Sequence, residues 1–209
     1  MVINNARYIF WDFDGVIKDS VSVKTEAFTR LFEAFGEVVV KRIREHHNLN
    51  GGMSRFHKIP LYLQWAGQEA SDNVVNQYCT KFSQQVVQNV IDAPWVPGVE
   101  SYIRRQCDDK VFVLVSATPQ TELEYILKAL NLSRSFRYVY GAPIEKSCAI
   151  REVLARHKWD LNQCLMIGDA QADLYAAEVN RVPFLLRKHC DNKILFANFT
   201  GQFIEDFVT

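Results

Sequence analysis

Nothing in this sequence approaches the roughly 18 consecutive apolar residues of a membrane span, and its N-terminus lacks the basic-then-apolar layout of a secretion signal. Both absences point to a cytoplasmic protein with no membrane partner. Also missing is any imbalance of charge, since 24 Lys plus Arg stand against 24 Asp plus Glu. Such a chain gives no broad electrostatic ground for binding nucleic acid or an acidic surface. The basic clusters Lys41-Arg42 to Arg44 and Arg187-Lys188 are too short to form a patch. Cys79, Cys107, Cys148, Cys164 and Cys190 are odd in number and never spaced Cys-x-x-Cys, which argues against a disulfide framework and against a zinc site. There is no Gly-x-Ser-x-Gly elbow to support a serine-hydrolase triad. His46, His47 and His57 lack a carboxylate pair at ligand spacing and read as surface or packing residues.

What is present begins at Arg7. Tyr8, Ile9, Phe10 and Trp11 form a short apolar run that reads as a buried strand, and it ends in Asp12-Phe13-Asp14-Gly15. Residues two apart on a strand share a face. Asp12 and Asp14 therefore start on one side, and such close carboxylates repel unless a proton or a cation lies between them.

From about Val21 to Ile91 the pattern is helical. A helix over Thr25 to Phe35 closes at Gly36, a second runs from Val38 to His46, a third is N-capped by Ser54 and runs to Trp65, and a fourth runs from Ser71-Asp72 to about Val90. After Pro94 and Pro97-Gly98 the chain alternates helix with strand. Strands are expected at Lys110 to Val115, Arg137 to Tyr140, Gln163 to Ile167 and Val182 to Leu186. The helices between them are Val99 to Arg105, Pro119 to Leu130 with Thr118 or a neighbour as cap, Ser147 to His157, and one carrying Asp173 to Val179. The tail from Asp191, with Phe196, Phe199, Phe203 and Phe207, is apolar enough to pack but ambiguous in type. This alternation predicts an α/β fold, an open parallel sheet with helices on both faces in three layers. Ligands in such sheets bind at the carboxyl ends of the strands.

The polar residues gather where that rule puts a site. Asp12, Asp14, Asp169 and Asp173 would converge at one end of the sheet. Concentrated carboxylates need a counter-cation, and hard oxygen ligands favour Mg²⁺ together with a substrate phosphate. Lys146 would add a positive charge, and Ser116 with the amides of Ala117 and Thr118 entering a helix would cradle the phosphoryl group. These are the parts of a phosphoryl-transfer site.

Asp12-Phe13-Asp14-Gly15-Val16 with Asp19, then Val115-Ser116-Ala117-Thr118, then Lys146, then Gly168-Asp169-Ala170-Gln171-Ala172-Asp173 resemble, in order, the four motifs of the haloacid dehalogenase superfamily. The resemblance implies Asp12 as nucleophile, forming an aspartyl-phosphate, and Asp14 as the acid/base. It implies Mg²⁺ held by Asp12, Asp169 and the Asp14 backbone carbonyl with help from Asp173, and the phosphoryl group bound by Ser116 and Lys146. Crowding of negative charge is expected to raise the Asp14 pKa, as an acid requires. Asp14 also favours phosphatase or phosphomutase over dehalogenase, because dehalogenating members lack an aspartate there.

The resemblance further implies a helical cap over residues 20–94, inserted into a core made of 1–19 and 95–209, with hinges near Lys18 to Val21 and Pro94 to Pro97. Leu49-Asn50-Gly51-Gly52-Met53-Ser54-Arg55 looks like the loop that caps of the beta-phosphoglucomutase and phosphoglycolate phosphatase group turn toward substrate. Gly52, Ser54 and Arg55 are then the specificity residues, with Arg55 contacting an anionic or polyol substrate. Two departures stand out. Lys24 occupies a position where beta-phosphoglucomutase has histidine, and Lys146 precedes Ser147 where proline often follows. The expected protein is a Mg²⁺-dependent phosphatase of a small phosphorylated metabolite, a monomer or homodimer. A sugar phosphomutase is the alternative, and a metabolite-binding or interaction module is a third class.

Overall fold

In the computed structural model, which describes residues 2–208, six strands form one parallel sheet in the order β3-β2-β1-β4-β5-β6. A short helix α1 (Val2–Asn5) precedes β1 (Tyr8–Trp11). Helices α2 (Val21–Leu31), α3 (Glu37–Leu49), α4 (Arg55–Trp65) and α5 (Asp72–Asp92) follow without a strand. Then come α6 (Val99–Gln106), β2 (Val111–Pro119), α7 (Gln120–Ala129), β3 (Tyr138–Ala142), α8 (Lys146–His157), β4 (Cys164–Gly168), α9 (Gln171–Val179), β5 (Phe184–Arg187) and β6 (Gln202–Ile204).

Alternation along the strands divides the core in two. Ile9, Trp11, Phe112, Leu114, Leu165 and Ile167 face one layer, with Ile103 of α6 and Leu123, Ile126 and Leu127 of α7. Phe10, Val113, Val115, Cys164 and Met166 face the other, with Ala149, Ile150 and Val153 of α8 and Ala176 and Ala177 of α9. Both faces of the central strands are covered, which is why those strands are apolar without a break. The result is the three-layer α/β fold with a parallel sheet that the sequence predicts.

From β1 the chain builds outward to β2 and β3, then returns to add β4 on the other side of β1. The crevice at such a reversal lies outside the carboxyl ends of the two central strands. Asp12 follows β1 and Asp169 follows β4, so the topology delivers both to that crevice. The Asp12 amide donates to the Ile167 carbonyl at 2.9 Å and ties the two strand ends together.

Four details differ from the sequence expectation. The first helix of the block starts at Val21 and gives way to a 3₁₀ turn at Glu33–Phe35 before Gly36, whose φ is 91°. The strand expected to stop at Val115 continues to Pro119, because after an irregularity over the intervening residues Pro119 pairs with Ala142 of β3. Thr118 is thus a strand residue and not a helix cap. The ambiguous tail contributes a sixth parallel strand, and Phe207 packs against Trp11 and Tyr102.

Helices α2 to α5 share a core of Phe28, Phe32, Tyr62, Leu63, Phe82 and Val86. They stand over the carboxyl end of the sheet. Gly52, in the loop between α3 and α4, lies so close to α9 that a Cβ there would meet the Ala172 Cβ at 2.7 Å.

Candidate active site

A cavity of about 40 Å³ lies between the helical unit and the strand ends, lined among others by Asp12, Asp14, Lys24, Gly52, Arg55, Ala117, Lys146 and Asp169. By the measure in which one water needs roughly 10–15 Å³, it has room for a few water-sized groups. A larger chamber of about 240 Å³ adjoins it and is lined by Ser54, His57, Ser116 and Tyr175 among others.

Asp12, Asp169 and Asp173 are buried, and one carboxylate oxygen from each lies within 4.8 Å of the others. Lys146, at the first position of α8, places its ammonium 2.7 Å from Asp12 Oδ1 and 2.6 Å from Asp173 Oδ1. Gly168 makes this approach possible, since a Cβ there would sit 2.2 Å from the Asp173 Cβ. Asp173 also accepts a hydrogen bond from the Ala170 amide at 3.1 Å. Two of the three carboxylates share one ammonium, which leaves the cluster net negative, and burial together with their mutual repulsion makes that costly. Burial and the neighbouring Asp173 push the Asp12 pKa up to about 7, with Lys146 opposing. Burial likewise raises Asp169 and Asp173. Despite its own burial, Lys146 is held strongly protonated by Asp12 and Asp173. An oxygen-only donor set with uncompensated buried charge fits a hard divalent cation such as Mg²⁺.

Asp14 stands in the same cavity, so the four carboxylates meet at this end of the sheet, but it lies outside the close trio. Its carboxylate accepts from the Ser20 hydroxyl at 2.7 Å, from the Thr118 hydroxyl at 3.3 Å, and from the Lys24 ammonium in a very short contact. Burial alone would raise its pKa, but the charge and hydrogen bond of Lys24 outweigh it and hold Asp14 below the usual carboxylate value. The expectation that crowding raises Asp14 is thereby overturned. The crowded carboxylate is Asp12.

The glycine between the motif aspartates and the following turn is needed for two reasons. Gly15 has φ +76°, and a Cβ on it would meet Asp169 Oδ2 at 2.2 Å. Ser116 is buried, and its hydroxyl accepts from the Thr118 amide at 3.2 Å. That amide is turned back on Ser116, and it leads into a strand extension instead of a helix, so the expected cradle is altered at Thr118. The Thr118 hydroxyl instead accepts from Lys24 at 2.8 Å.

In the helical unit, Ser54 caps α4 by accepting from the Phe56 amide at 3.4 Å. Arg55 lines the cavity but is buried and already engaged. Its guanidinium makes two parallel bonds of 2.9 Å to Glu122 on α7, a third to Ser83 at 2.7 Å, and lies over the Phe82 ring.

Some members of the site escape a sequence reading. His189, beyond β5, places Nε2 2.9 Å from Asp169 Oδ2, and the Asn192 amide donates to the Asp169 carbonyl at 2.9 Å. Both hold Asp169 in place. Nothing around either residue in the sequence marks it. Lys24 was marked only as a departure from histidine, and its ten-residue spacing from Asp14 carries no local signal.

The chain matches, over residues 9–186, the profile of a family described as haloacid dehalogenase-like hydrolase. No curated protein matches it. Among solved structures it is similar to a beta-phosphoglucomutase from Clostridium difficile, at 17% identity and TM-score 0.74, covering 97% of this chain and 92% of that one. It is also similar to CbbY from Rhodobacter sphaeroides in complex with phosphate, at 13% identity and TM-score 0.76, covering 97% and 95%. A third is described as a predicted phosphoglycolate phosphatase from Haemophilus somnus 129pt, at 14% identity and TM-score 0.73, covering 97% and 95%. At these identities the likeness is one of fold.

Proposed function

Since this chain belongs to the haloacid dehalogenase-like hydrolase family, we propose that it is a Mg²⁺-dependent phosphatase of a small phosphorylated metabolite, acting through phospho-Asp12. The observation that carries this reading is the Lys146 bridge. One ammonium at 2.7 Å holds the Asp12 carboxylate at the mouth of β1, beside Asp169 and within the charged cavity. In this reading residues 20–94 are the cap and 1–19 with 95–209 are the core.

Asp12 and Asp169, with the main-chain carbonyl of Asp14, would hold Mg²⁺, and Asp173 would support them through Lys146 and the Ala170 amide. When bound, the cation supplies positive charge that neutralises the phosphoryl oxygens and favours ionised Asp12. An Asp12 carboxylate oxygen attacks phosphorus, and the ester oxygen leaves with a proton from Asp14. Asp14 then takes a proton from a water molecule, which attacks phospho-Asp12 and releases phosphate and free Asp12. Lys146 and the Ala117 main chain face the transferred group. Lys24 belongs to α2 and travels with the cap, so opening the cap withdraws the cation that keeps Asp14 ionised. Asp14 is thereby free to gain its proton between turnovers.

Release of inorganic phosphate from a panel of phosphate monoesters, with Mg²⁺ and with chelator, tests this reading. Hydrolysis that needs Mg²⁺ and vanishes in a folded Asp12→Asn variant is expected. Undiminished activity in chelator, or full activity in that variant, would overturn it. Conversion of a phosphosugar to its isomer without phosphate release would point to the mutase alternative.

A further inference from the structure

Beyond β5, His189, Cys190 and Asp191 bring an imidazole nitrogen, a thiol sulfur and a carboxylate oxygen within 4.8 Å of one another. Asp191 is the hub. Its Oδ2 lies 3.8 Å from His189 Nδ1, and its Oδ1 lies 3.4 Å from Cys190 Sγ. Around a tetrahedral ion with ordinary zinc bond lengths, ligand atoms stand about 3.3–3.6 Å apart. Small rotations of the exposed Cys190 and Asp191 side chains would let the three donors share one ion. Being consecutive, they show none of the spacing by which a zinc site is read from sequence.

An exposed thiol and an exposed carboxylate make no site by themselves, and the decisive group is the buried imidazole. The His189 side chain is only 6% exposed. Its Nε2 lies 2.9 Å from Asp169 Oδ2, but its Nδ1 is buried and has no hydrogen-bond partner among the described residues. A buried polar nitrogen left unpaired costs free energy. An ionised Asp169 can only accept, so Nε2 carries the hydrogen and the neutral ring keeps its lone pair on Nδ1, beside Asp191. A carboxylate on one ring nitrogen is the usual support of a histidine whose other nitrogen binds a metal. The turn is also held in advance. Asn192 accepts from the His189 amide and donates to the Asp169 and Arg187 carbonyls, each at 2.9 Å.

We propose that His189, Cys190 and Asp191 form a second metal site, for a borderline-soft divalent cation such as Zn²⁺, distinct from the oxygen-only site at Asp12 and Asp169. Nitrogen, thiolate and carboxylate in one set suit Zn²⁺ and disfavour Mg²⁺, which keeps to oxygen. Binding releases the Cys190 thiol proton to solvent and leaves water as the fourth ligand. The imidazole joins the two sites. An ion on Nδ1 makes Nε2–H a stronger donor to Asp169, draws negative charge from that carboxylate and so weakens Mg²⁺ there. The coupling rests on the Mg²⁺ reading above, whereas the second site does not.

The test uses the full chain in excess Mg²⁺, with Co²⁺ as a spectroscopic substitute for Zn²⁺. The oxygen-only site cannot give a thiolate-to-cobalt absorption band. Such a band is expected at equimolar Co²⁺, to be absent in Cys190→Ser, and to need about tenfold or more Co²⁺ in Asp191→Asn. Zn²⁺ should displace it and slow alkylation of Cys190 about tenfold or more, read by mass spectrometry against the half-buried Cys107 and Cys148. No band, a band that survives Cys190→Ser, unweakened binding in Asp191→Asn, or alkylation of Cys190 unchanged by Zn²⁺ overturns the inference.

The coupling is read without turnover, from Mg²⁺ titrations followed by melting temperature. Zn²⁺ should raise the Mg²⁺ midpoint of the wild type by roughly fivefold or more beyond its effect on Cys190→Ser. An equal effect in both proteins would place Zn²⁺ in the oxygen-only site and overturn the coupling. A protein that does not respond to Mg²⁺ even without Zn²⁺ would defeat the Mg²⁺ reading, and the cobalt band would still decide the second site.

Discussion

Arg55 and Glu122 join the helical unit to α7 by two parallel hydrogen bonds of 2.9 Å, across 67 residues of sequence. The guanidinium is buried against Phe82, and burial depresses its pKa, with Glu122 opposing. Fork-to-carboxylate pairs of this kind have a defined geometry as well as strength. Glu122→Gln keeps the shape and removes the charge, so it should cost about 1–3 kcal/mol in thermal or denaturant unfolding. It should also speed hydrogen exchange in α4 and α5. A double-mutant cycle with Arg55→Met isolates the pair, and additive losses would show that the two residues do not act together.

The acidic trio has a pH signature in the metal-free protein. Asp12 is raised from 3.8 to about 7 by burial and Asp173, and Asp169 and Asp173 move the same way. A carboxyl with a raised folded pKa binds its proton more tightly in the native state. Its stabilising contribution is therefore fully present below 3.8 and is lost as pH rises to about 7. Asp14, shifted down, acts in the opposite sense, but only below its ordinary value. In chelator the part due to Asp12, read as the melting temperature of the wild type minus that of Asp12→Asn, should fall between about pH 4 and pH 7, while buried His47, whose pKa is lowered, acts in the opposite sense in both proteins. Mg²⁺ should reduce the slope, and Asp12→Asn should remove the part due to Asp12. A wild-type minus Asp12→Asn difference that rises across this window would contradict the assignment.

Gly15 makes a sharper prediction. Its φ of +76° disfavours any side chain, and an added Cβ would sit 2.2 Å from Asp169 Oδ2. Gly15→Ala should therefore lose about 1–3 kcal/mol of stability. Because the clash falls on a carboxylate of the trio, activity should fall further than stability explains, with a higher Mg²⁺ requirement in titration. Restored activity at saturating Mg²⁺ would separate a displaced Asp169 from a wider collapse.

The parts of this site that were legible in the sequence are those written in short stretches. Apolar runs ending in Asp12 and Asp169 betray a parallel sheet with polar strand ends, and the order of the motifs does the rest. What stayed hidden is contact between distant segments. The glutamate facing Arg55 lies on another helix, His189 reaches Asp169 from beyond β5, and Lys58 meets His47 across two helices. None of these leaves a local period. The error about Asp14 has the same origin. Counting nearby aspartates suggests crowding, whereas the decisive neighbour is Lys24, one face of a helix away. Ser116 to Pro119 has turn-like composition, and it is the pairing of Pro119 with Ala142 of β3 that extends the strand over it.

Lys24 sets the protonation of Asp14, and this can be read from a pH profile. Burial pushes the Asp14 pKa up, and Lys24 with Ser20 pulls it below the ordinary value. Lys24→Met removes the largest lowering influence and leaves burial in control, so the Asp14 pKa should rise. A general acid must hold its proton at the start of turnover, and in the closed complex, where Lys24 faces Asp14, loss of that proton sets the basic limb of kcat against pH. The basic limb should therefore move to higher pH in Lys24→Met, whatever happens to the maximum rate. Lys24→Arg, which keeps the charge, should leave the limb near its wild-type position. A basic limb that stays in place in Lys24→Met would mean that Asp14 is not the group titrating there, and the proton donor would have to be sought elsewhere in the cavity.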